Sequence, residues 1–269
     1  MIPLPRPFLV GVVHLPALPG APRWNRDWED LLSRAISDAR TYVAAGFSAV
    51  VVENFGDVPF HKDRVPPVTV AAMSRVGTAV AAVLREVPSP PLLGFNVLRN
   101  DAAAALALCA ACGGDFIRVN VLTGTMVTDQ GIIEGRAAEV VRLRDHWCPG
   151  VGILADILVK HAHPLGAWTL QDAAADAWER GGADALIVTG QSTGKAPVTG
   201  DLQTVRQSVP QAPLLCGSGA TADILPALLS HADGVIVGSS LKRNALDSPV
   251  DPAKAAAFVA AATRAGTTQ

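Results

Sequence analysis

The sequence predicts a single (β/α)8 barrel, an α/β fold in which each of eight parallel strands is followed by a helix. Eight short apolar runs alternate with segments of helical periodicity along the 269 residues, a common length for one such barrel. The runs are continuously apolar, which is typical of parallel strands covered on both faces. Two glycine-rich turns, within residues 213–224 and 232–243, end the series. We therefore expect one domain over residues 1–269.

Each predicted strand is an apolar run that stops at a polar residue or a glycine. The strands are predicted at residues 8–14, 48–53, 92–97, 116–121, 151–157, 185–189, 213–216 and 234–237. Helices are predicted at residues 28–45, 69–85, 100–112, 136–147, 170–180, 201–209 and 252–265, with a further helix beginning near residue 221. Residues 54–67 and 122–135 are predicted to be long loops.

An open, doubly wound sheet is the rival fold. Two observations disfavour it. No G-x-G-x-x-G turn follows the first predicted strand, and eight strand–helix units are more than that fold usually contains.

Composition and charge narrow the function class. The chain has 22 Lys and Arg against 24 Asp and Glu, so its net charge is −2, and a nucleic-acid partner is not expected. Residues 102–114 are the most apolar stretch, yet they are shorter than the roughly 18 residues of a membrane span. The four cysteines lie in apolar surroundings and are expected to be reduced, in a cytoplasmic protein.

Polar and charged side chains gather near the carboxyl ends of the first six predicted strands. In a (β/α)8 barrel these ends meet at one mouth, where active sites lie. We predict catalytic roles for Glu53, Arg118, Asn120, Asp156 and Lys160. Other substrate contacts are predicted for His14, Asn96, His161 and Thr189.

The fourth predicted strand is the most informative of the six. It contains FIRVNV, in which Ile117 and Val119 face one side while Arg118 and Asn120 face the other. The apolar set is expected to contact the helices, which turns Arg118 into the barrel lumen. A buried arginine is costly unless a carboxylate pairs with it, and the available carboxylates are on the second and fifth strands.

The same residues also allow purely structural interpretations. Arg118 can form a structural ion pair, and His14 can simply hydrogen-bond to the backbone. Lys160 and His161 can be solvated loop residues. The loop at residues 54–67 is either solvated or a lid over the mouth.

The two glycine-rich turns predict a phosphate site at the ends of the seventh and eighth strands. Glycine lets backbone N–H groups approach an anion closely, and a helix N-terminus, capped here by Thr221, attracts negative charge. The same composition also suits ordinary tight turns. The predicted phosphate-binding residues are Gly217, Ser218, Gly219, Gly238 and Ser239.

No cofactor is predicted. His14, Glu53, Asp156 and His161 include the side-chain types that bind a divalent metal, but their spacing matches no diagnostic metal motif. A metal-dependent hydrolase therefore stays an open alternative.

Several longer stretches of the chain resemble the BtpA/SgcQ family. They are GVVHLPALPGAP, VVVENFGDVPF, GFNVLRND, FIRVNVLTGTMVTDQGIIEG, DILVKHAHPLG, ALIVTGQSTGKAP and LLCGSGAT. The resemblance implies a TIM barrel of the ribulose-phosphate-binding type. The family name refers to photosystem I biogenesis in cyanobacteria, and other members are described as predicted barrel enzymes, some associated with sugar uptake. It implies no set of catalytic residues.

These observations predict an enzyme acting on a small phosphorylated metabolite, such as a phosphosugar or a nucleotide-like compound. Glu53 or Asp156 would act as acid or base, and Arg118 and Asn120 would stabilise negative charge. Lys160 would form a Schiff base in an aldolase-like reaction; an isomerase is the other class considered. A non-catalytic assembly factor is the alternative from a different class, and a homo-oligomer is possible.

Overall fold

A computed structural model describes residues 4–159, 161–190, 199–244 and 247–266. Within these residues eight parallel strands form a closed barrel, which confirms the predicted fold. The strands of the barrel, in chain order, are β1 (Phe8–His14), β2 (Ala49–Glu53), β3 (Leu92–Asn96), β4 (Phe116–Val119), β7 (Gly152–Ile157), β9 (Ala185–Thr189), β10 (Leu214–Gly217) and β11 (Gly234–Val237). Three further strands, β5 (Thr125–Thr128), β6 (Gly131–Glu134) and β8 (Ala162–Pro164), form a separate small sheet.

Helices follow the strands of the barrel on the outside. They are α1 (Trp28–Ala45), α2 (Pro67–Leu84), α3 (Ala102–Cys112), α4 (Ala137–Trp147), α5 (Leu170–Ala175), α6 (Thr199–Ser208), α7 (Leu225–Leu229) and α8 (Pro252–Gly266). A π-helical turn, Asp176–Arg180, extends α5. The predicted bounds of α1 coincide with the observed ones because both ends are capped. The Asp27 carboxylate accepts a hydrogen bond from the Asp30 N–H, and Gly46 adopts a left-handed φ of 88°.

The buried side chains form two layers, one on each side of the barrel wall. The inner layer fills the lumen with apolar residues, among them Val10, Val51, Phe116 and Ile187. The outer layer packs the strands against the helices and includes Ile117 and Val119. The period-two interpretation of the fourth strand is therefore correct, and Arg118 continues the lumen-facing series.

The small sheet corrects one prediction. Residues 122–135 were expected to form a loop, but 125–134 form a β-hairpin whose first strand also pairs with β8. Met126 and Ile133 are buried against Val121 and Val159, whereas Val127 and Ile132 are exposed. This alternation, together with a turn at Gly131 (φ 96°), is a hairpin pattern that the sequence already contained.

One helix is long and apolar enough to cross a membrane, judged by length and composition alone, within the described part of the chain. It is α2, with half of its 18 residues buried against the barrel, and not the shorter α3 region at residues 102–114. In this structure α2 lies between α1 and α3 as one of the outer helices.

The cysteines give a direct check on the buried layers. All four thiols are free, and burial raises the pKa of Cys216 to about 12. At pH 8 this thiol is neutral, since the thiolate forms only as the pH approaches that pKa, and it lies inside the wall of the barrel.

We expect iodoacetamide to leave Cys216 unmodified in the native protein at pH 8 and to modify it in guanidinium chloride. Peptide mass spectrometry measures this, and rapid native labelling of Cys216 would contradict the burial.

Candidate functional site

A layer of polar side chains caps the apolar lumen at the carboxyl ends of the strands. Its first part is a row on three adjacent strands, because His14 is in register with Glu53 and Glu53 with Asn96. Asn96 Nδ2 donates to Glu53 Oε2 at 2.6 Å, and His14 Nε2 lies 3.8 Å from Glu53 Oε1. Glu53 is therefore held from both sides, with 6% of its surface exposed toward the mouth.

The second part of the layer is centred on Asp156. Arg118 Nη2 donates to Asp156 Oδ1 at 3.0 Å, and Arg118 Nε donates to Asp156 Oδ2 at 3.2 Å, a bidentate pair. Asn120 Nδ2 also donates to Asp156 Oδ2. The side chain of Asp156 is wholly buried, so each of its oxygens is already engaged by a neighbour.

Arg118 joins the two parts of the layer, because its Nη1 lies 4.0 Å from Glu53 Oε2. Burial alone lowers the pKa of Arg118, but the carboxylates of Asp156 and Glu53 outweigh burial and raise it. Arg118 is thus a fixed cation that pairs strongly with Asp156 and more weakly with Glu53.

A second buried arginine lies at the same mouth and was missed by the sequence analysis. Arg99 follows β3, is 7% exposed, and its backbone N–H donates to the His61 carbonyl at 3.1 Å. Burial lowers the pKa of Arg99, opposed by the charges of Asp156, Asp129 and Glu53. Arg99 lies within the motif GFNVLRND, just beyond a predicted strand end, and that position was the available signal.

The two glycine-rich turns border this polar layer directly. A Cβ added at Gly217 would lie 2.4 Å from Ile187 Cγ2 and 3.7 Å from Arg118 Nη2. A Cβ added at Gly238 would lie 2.5 Å from Cε1 of the His14 ring. At both positions a side chain would collide with a neighbouring residue, so only glycine fits. The backbone of Gly217 therefore lies close to Arg118, and the backbone of Gly238 lies close to His14.

The turn after β10 has a backbone that few side chains tolerate. Ser218 has a φ of 94° and Gly219 a φ of 69°, so consecutive residues are left-handed. Ser218 N–H donates to the Ile236 carbonyl at 3.3 Å, which ties this turn to β11. Ser240 Oγ, in the turn after β11, donates to the Ala220 carbonyl at 2.6 Å. These contacts hold the two turns side by side.

The helix N-terminus predicted at Thr221 is wrong. The helix after β10 begins at Leu225 and has only five residues. Pro226 suits the first turn of a helix, and the Thr221 carbonyl accepts a hydrogen bond from the Leu225 N–H. After β11 the described residues form a 3-10 turn, Ser239–Leu241, and the next described helix, α8, begins at Pro252. Any anion bound here would rely on loop backbone and not on a helix dipole.

The remaining predicted residues are spread over the mouth. Thr189 ends β9 and lies beside Gly217, since Thr189 Cγ2 would be 3.2 Å from its added Cβ. His161 is exposed and directly precedes β8. Lys160 lies outside the described residues.

Two further features bear on ligands. The Oδ1 atom of Asn120 is buried and accepts no hydrogen bond from the described residues, so it is available to a donor on a ligand. Over the same part of the chain, no group of three or more His, Cys, Asp or Glu side chains is arranged to hold a metal ion.

The fold and the polar layer together define a TIM barrel with a polar mouth at the carboxyl ends of its strands. The chain belongs to the BtpA family, whose family model matches residues 6–264. The Photosystem I biogenesis protein BtpA of Synechocystis sp. is 45% identical over 254 residues, which cover 94% of this chain and 87% of that protein. An uncharacterized protein of Thermococcus kodakarensis is 46% identical over 236 residues, covering 88% of this chain and 87% of that one.

A solved structure of low identity has the same fold. It is the (S)-3-O-geranylgeranylglyceryl phosphate synthase from Thermoplasma acidophilum in complex with its substrate sn-glycerol-1-phosphate. It is 14% identical with a TM-score of 0.58, and the match covers 95% of this chain and 93% of that one. At this identity the likeness supports the barrel fold alone.

Proposed function

We propose that the protein is a cytoplasmic enzyme that acts on a small phosphorylated metabolite bound at the barrel mouth. The observation that carries the proposal is the adjacency of the glycine turns to the polar layer, through Gly217 beside Arg118 and Gly238 beside His14. A phosphate on the turns would place the rest of a small substrate over Glu53. The free thiols fit the reducing compartment that we propose.

The phosphate would be bound by backbone N–H groups of the two turns. Because the Ser218 N–H already donates to the Ile236 carbonyl, the donors of the first turn would come from the residues beside it. Gly238 exposes backbone where a side chain would collide with His14. Ser239 follows Gly238 in the chain, and its hydroxyl would be a further donor. The Thermoplasma acidophilum barrel, whose own substrate is a phosphate ester, makes this ligand class reasonable for the fold.

Of the two candidate carboxylates, the geometry favours Glu53 as the proton carrier. Asp156 accepts bonds from Arg118 and Asn120 and has no exposed side-chain surface, so its role would be to fix Arg118. Glu53 has one oxygen bonded to Asn96 and the other near His14. A proton on Glu53 could therefore be relayed through His14 toward the phosphate end of the substrate.

The arginines would stabilise negative charge that develops during the reaction. Arg118 is held at a fixed position by Asp156, which is the preorganisation that such stabilisation needs. Arg99 adds a second guanidinium at the mouth, and Asn120 offers its Oδ1 to a substrate hydroxyl. An isomerisation through Glu53 is compatible with this arrangement. The aldolase-like alternative depends on Lys160, which lies outside the described residues.

The non-catalytic alternative follows from the name of the Synechocystis relative, a photosystem I biogenesis protein. A scaffold barrel would tolerate apolar replacements of the lumen layer provided that the fold survives. It has no need of four buried charged groups at one mouth, which are costly to bury; they are Glu53, Arg99, Arg118 and Asp156. We therefore prefer the enzyme.

A thermal-shift screen with phosphorylated metabolites tests the proposal. A ligand at 100 times its dissociation constant should stabilise the native state by about 2.7 kcal/mol, or about 5–10 °C in Tm for a chain of this size. Matched unphosphorylated compounds should give no shift. The proposal fails if no phosphate ester shifts the Tm, or if the unphosphorylated partners shift it equally.

Glu53→Gln should reduce turnover of the compound found in that screen by about 100-fold to 10,000-fold. The amide keeps the shape and the bond with Asn96 but cannot carry the proton. Affinity for the phosphate ester should change little, because the turns are untouched. Glu86→Gln is the control, since Glu86 is 58% exposed and remote from the mouth. Full turnover by Glu53→Gln would remove Glu53 from the mechanism.

A further inference from the structure

A cavity of about 310 Å3 lies next to the barrel mouth and is not used by the chemistry described above. It opens between the loops after β1, β2 and β11 and the middle of α1. The ring of His14 is part of its wall, and the same ring lies against Gly238 of the phosphate turns. The cavity and the proposed phosphate site therefore lie on two sides of one side chain.

The cavity has more cations than carboxylates. Arg23, Arg34 and Lys242 line it, against Asp38 and Asp247, although the whole chain carries a net charge of −2. Lys242 is neutralised, because its Nζ donates to Asp38 Oδ2 at 2.5 Å and both side chains are buried. Arg34 is likewise paired, with Asp30 at 2.8 Å, so the lining cation that no carboxylate of the described residues pairs with is Arg23.

Both arginines have donors left for a ligand. Arg34 Nε donates to Asp30 Oδ1 at 2.8 Å and Arg34 Nη1 to the Asp247 carbonyl at 3.1 Å, which fixes the guanidinium and leaves Nη2. Arg23 is exposed and forms no ion pair with any residue of the described ranges. A guanidinium held in place with free N–H groups suits the recognition of phosphate or carboxylate.

The rest of the wall is apolar and suits a carbon body. Phe55 packs against His14 with ring centroids 4.7 Å apart, and Leu15, Pro16 and Val58 continue this surface. The cavity thus combines an apolar surface with two arginines at its rim, the usual pattern of a small-molecule site.

We propose that this cavity binds a second anionic group of the substrate, so that the substrate is a sugar or sugar acid with two anionic groups. This inference rests on the proposed function, because the first phosphate is taken to sit on the glycine turns. The substrate would pass over His14, with one phosphate at Gly238 and the other anionic group at Arg23 and Arg34.

Calorimetry with fructose 6-phosphate and fructose 1,6-bisphosphate as probes tests this assignment. We expect the bisphosphate to bind the wild-type protein at least ten times more tightly than the monophosphate. In the Arg23→Ala and Arg34→Gln variants, the affinities for the bisphosphate and the monophosphate should lie within about twofold of each other. Arg26→Ala is the matched control, an exposed arginine three residues from Arg23 that does not line the cavity, and it should keep the full ratio. Unchanged Tm values check that the variants are folded.

The outcomes separate this inference from the proposed function. If the monophosphate binds and Gly238→Ala removes its binding, but the bisphosphate binds no more tightly, only the second subsite is wrong. If neither probe binds while another phosphate ester shifts the Tm, the sugar assignment is wrong and the proposed function stands. If no phosphate ester binds, both are wrong. Inorganic phosphate that binds Gly238→Ala and is lost on adding Arg23→Ala would identify a separate anion site and overturn the assignment to the substrate.

Discussion

Replacing Arg118 by methionine is expected to lower the free energy of unfolding by about 3–5 kcal/mol. The change leaves the Asp156 carboxylate buried, with no exposed side-chain surface and without the bidentate partner that compensates its charge. Asn120 still donates one hydrogen bond to it, which does not replace a full positive charge. Urea unfolding followed by circular dichroism measures the effect as a lower midpoint at an unchanged slope.

A double variant and a surface control make this test specific. Arg118→Met with Asp156→Leu removes both charges and should recover part of the lost stability, because an apolar pair replaces a desolvated ion pair while the Asn120 amide loses its acceptor. Arg40→Met removes an exposed pair with Glu86, at 3.5 Å, and should cost at most about 1 kcal/mol. A loss in Arg118→Met no larger than that of Arg40→Met would show that the pair is not buried as described.

Gly238→Ala is expected to abolish binding of phosphate esters, with a loss of affinity of at least about 100-fold. The added Cβ would lie 2.5 Å from the His14 ring, so either the ring or the turn must move, and the backbone donors move with it. Calorimetry with the ester that gives the largest Tm shift measures the loss. Gly150→Ala is the matched control, because an added Cβ there meets no atom within 4 Å among the described residues.

The cause of that loss can be checked with a second substitution. Adding His14→Ala to Gly238→Ala removes the ring with which the new methyl group collides. Recovery of phosphate affinity in the double variant would assign the loss to the displaced turn. Full binding by the single variant Gly238→Ala would instead exclude the turn after β11 from the anion site.

Much of this architecture could be predicted because it depends on local pattern. The eight barrel strands followed from continuous apolar runs, and the inward direction of Arg118 followed from the period of two along FIRVNV. The polar character of the mouth followed from the polar residues at which the apolar runs of the strands end. These features need only the positions of residues along one strand.

Features that depend on distances between strands were not predictable. The sequence offered both Glu53 and Asp156 to Arg118, and only the closed barrel shows that Asp156 is the bidentate partner while Glu53 is 4.0 Å away. Arg99 escaped notice because it follows β3 in a loop and is buried only once the loop from β2 covers it. The hairpin at residues 125–134 was missed because its alternation lies between two barrel units, where a loop was expected.

The central claim is that the turns after β10 and β11 bind the phosphate group of a small metabolite at the edge of the polar layer. The most direct test is the backbone amide spectrum of the isotopically labelled protein during titration with a phosphate ester such as fructose 6-phosphate. The account predicts saturable shifts of the Gly217, Gly219 and Gly238 amide resonances, with little change for the unphosphorylated sugar. Shifts confined to residues away from this mouth, or equal shifts with the unphosphorylated sugar, would contradict it.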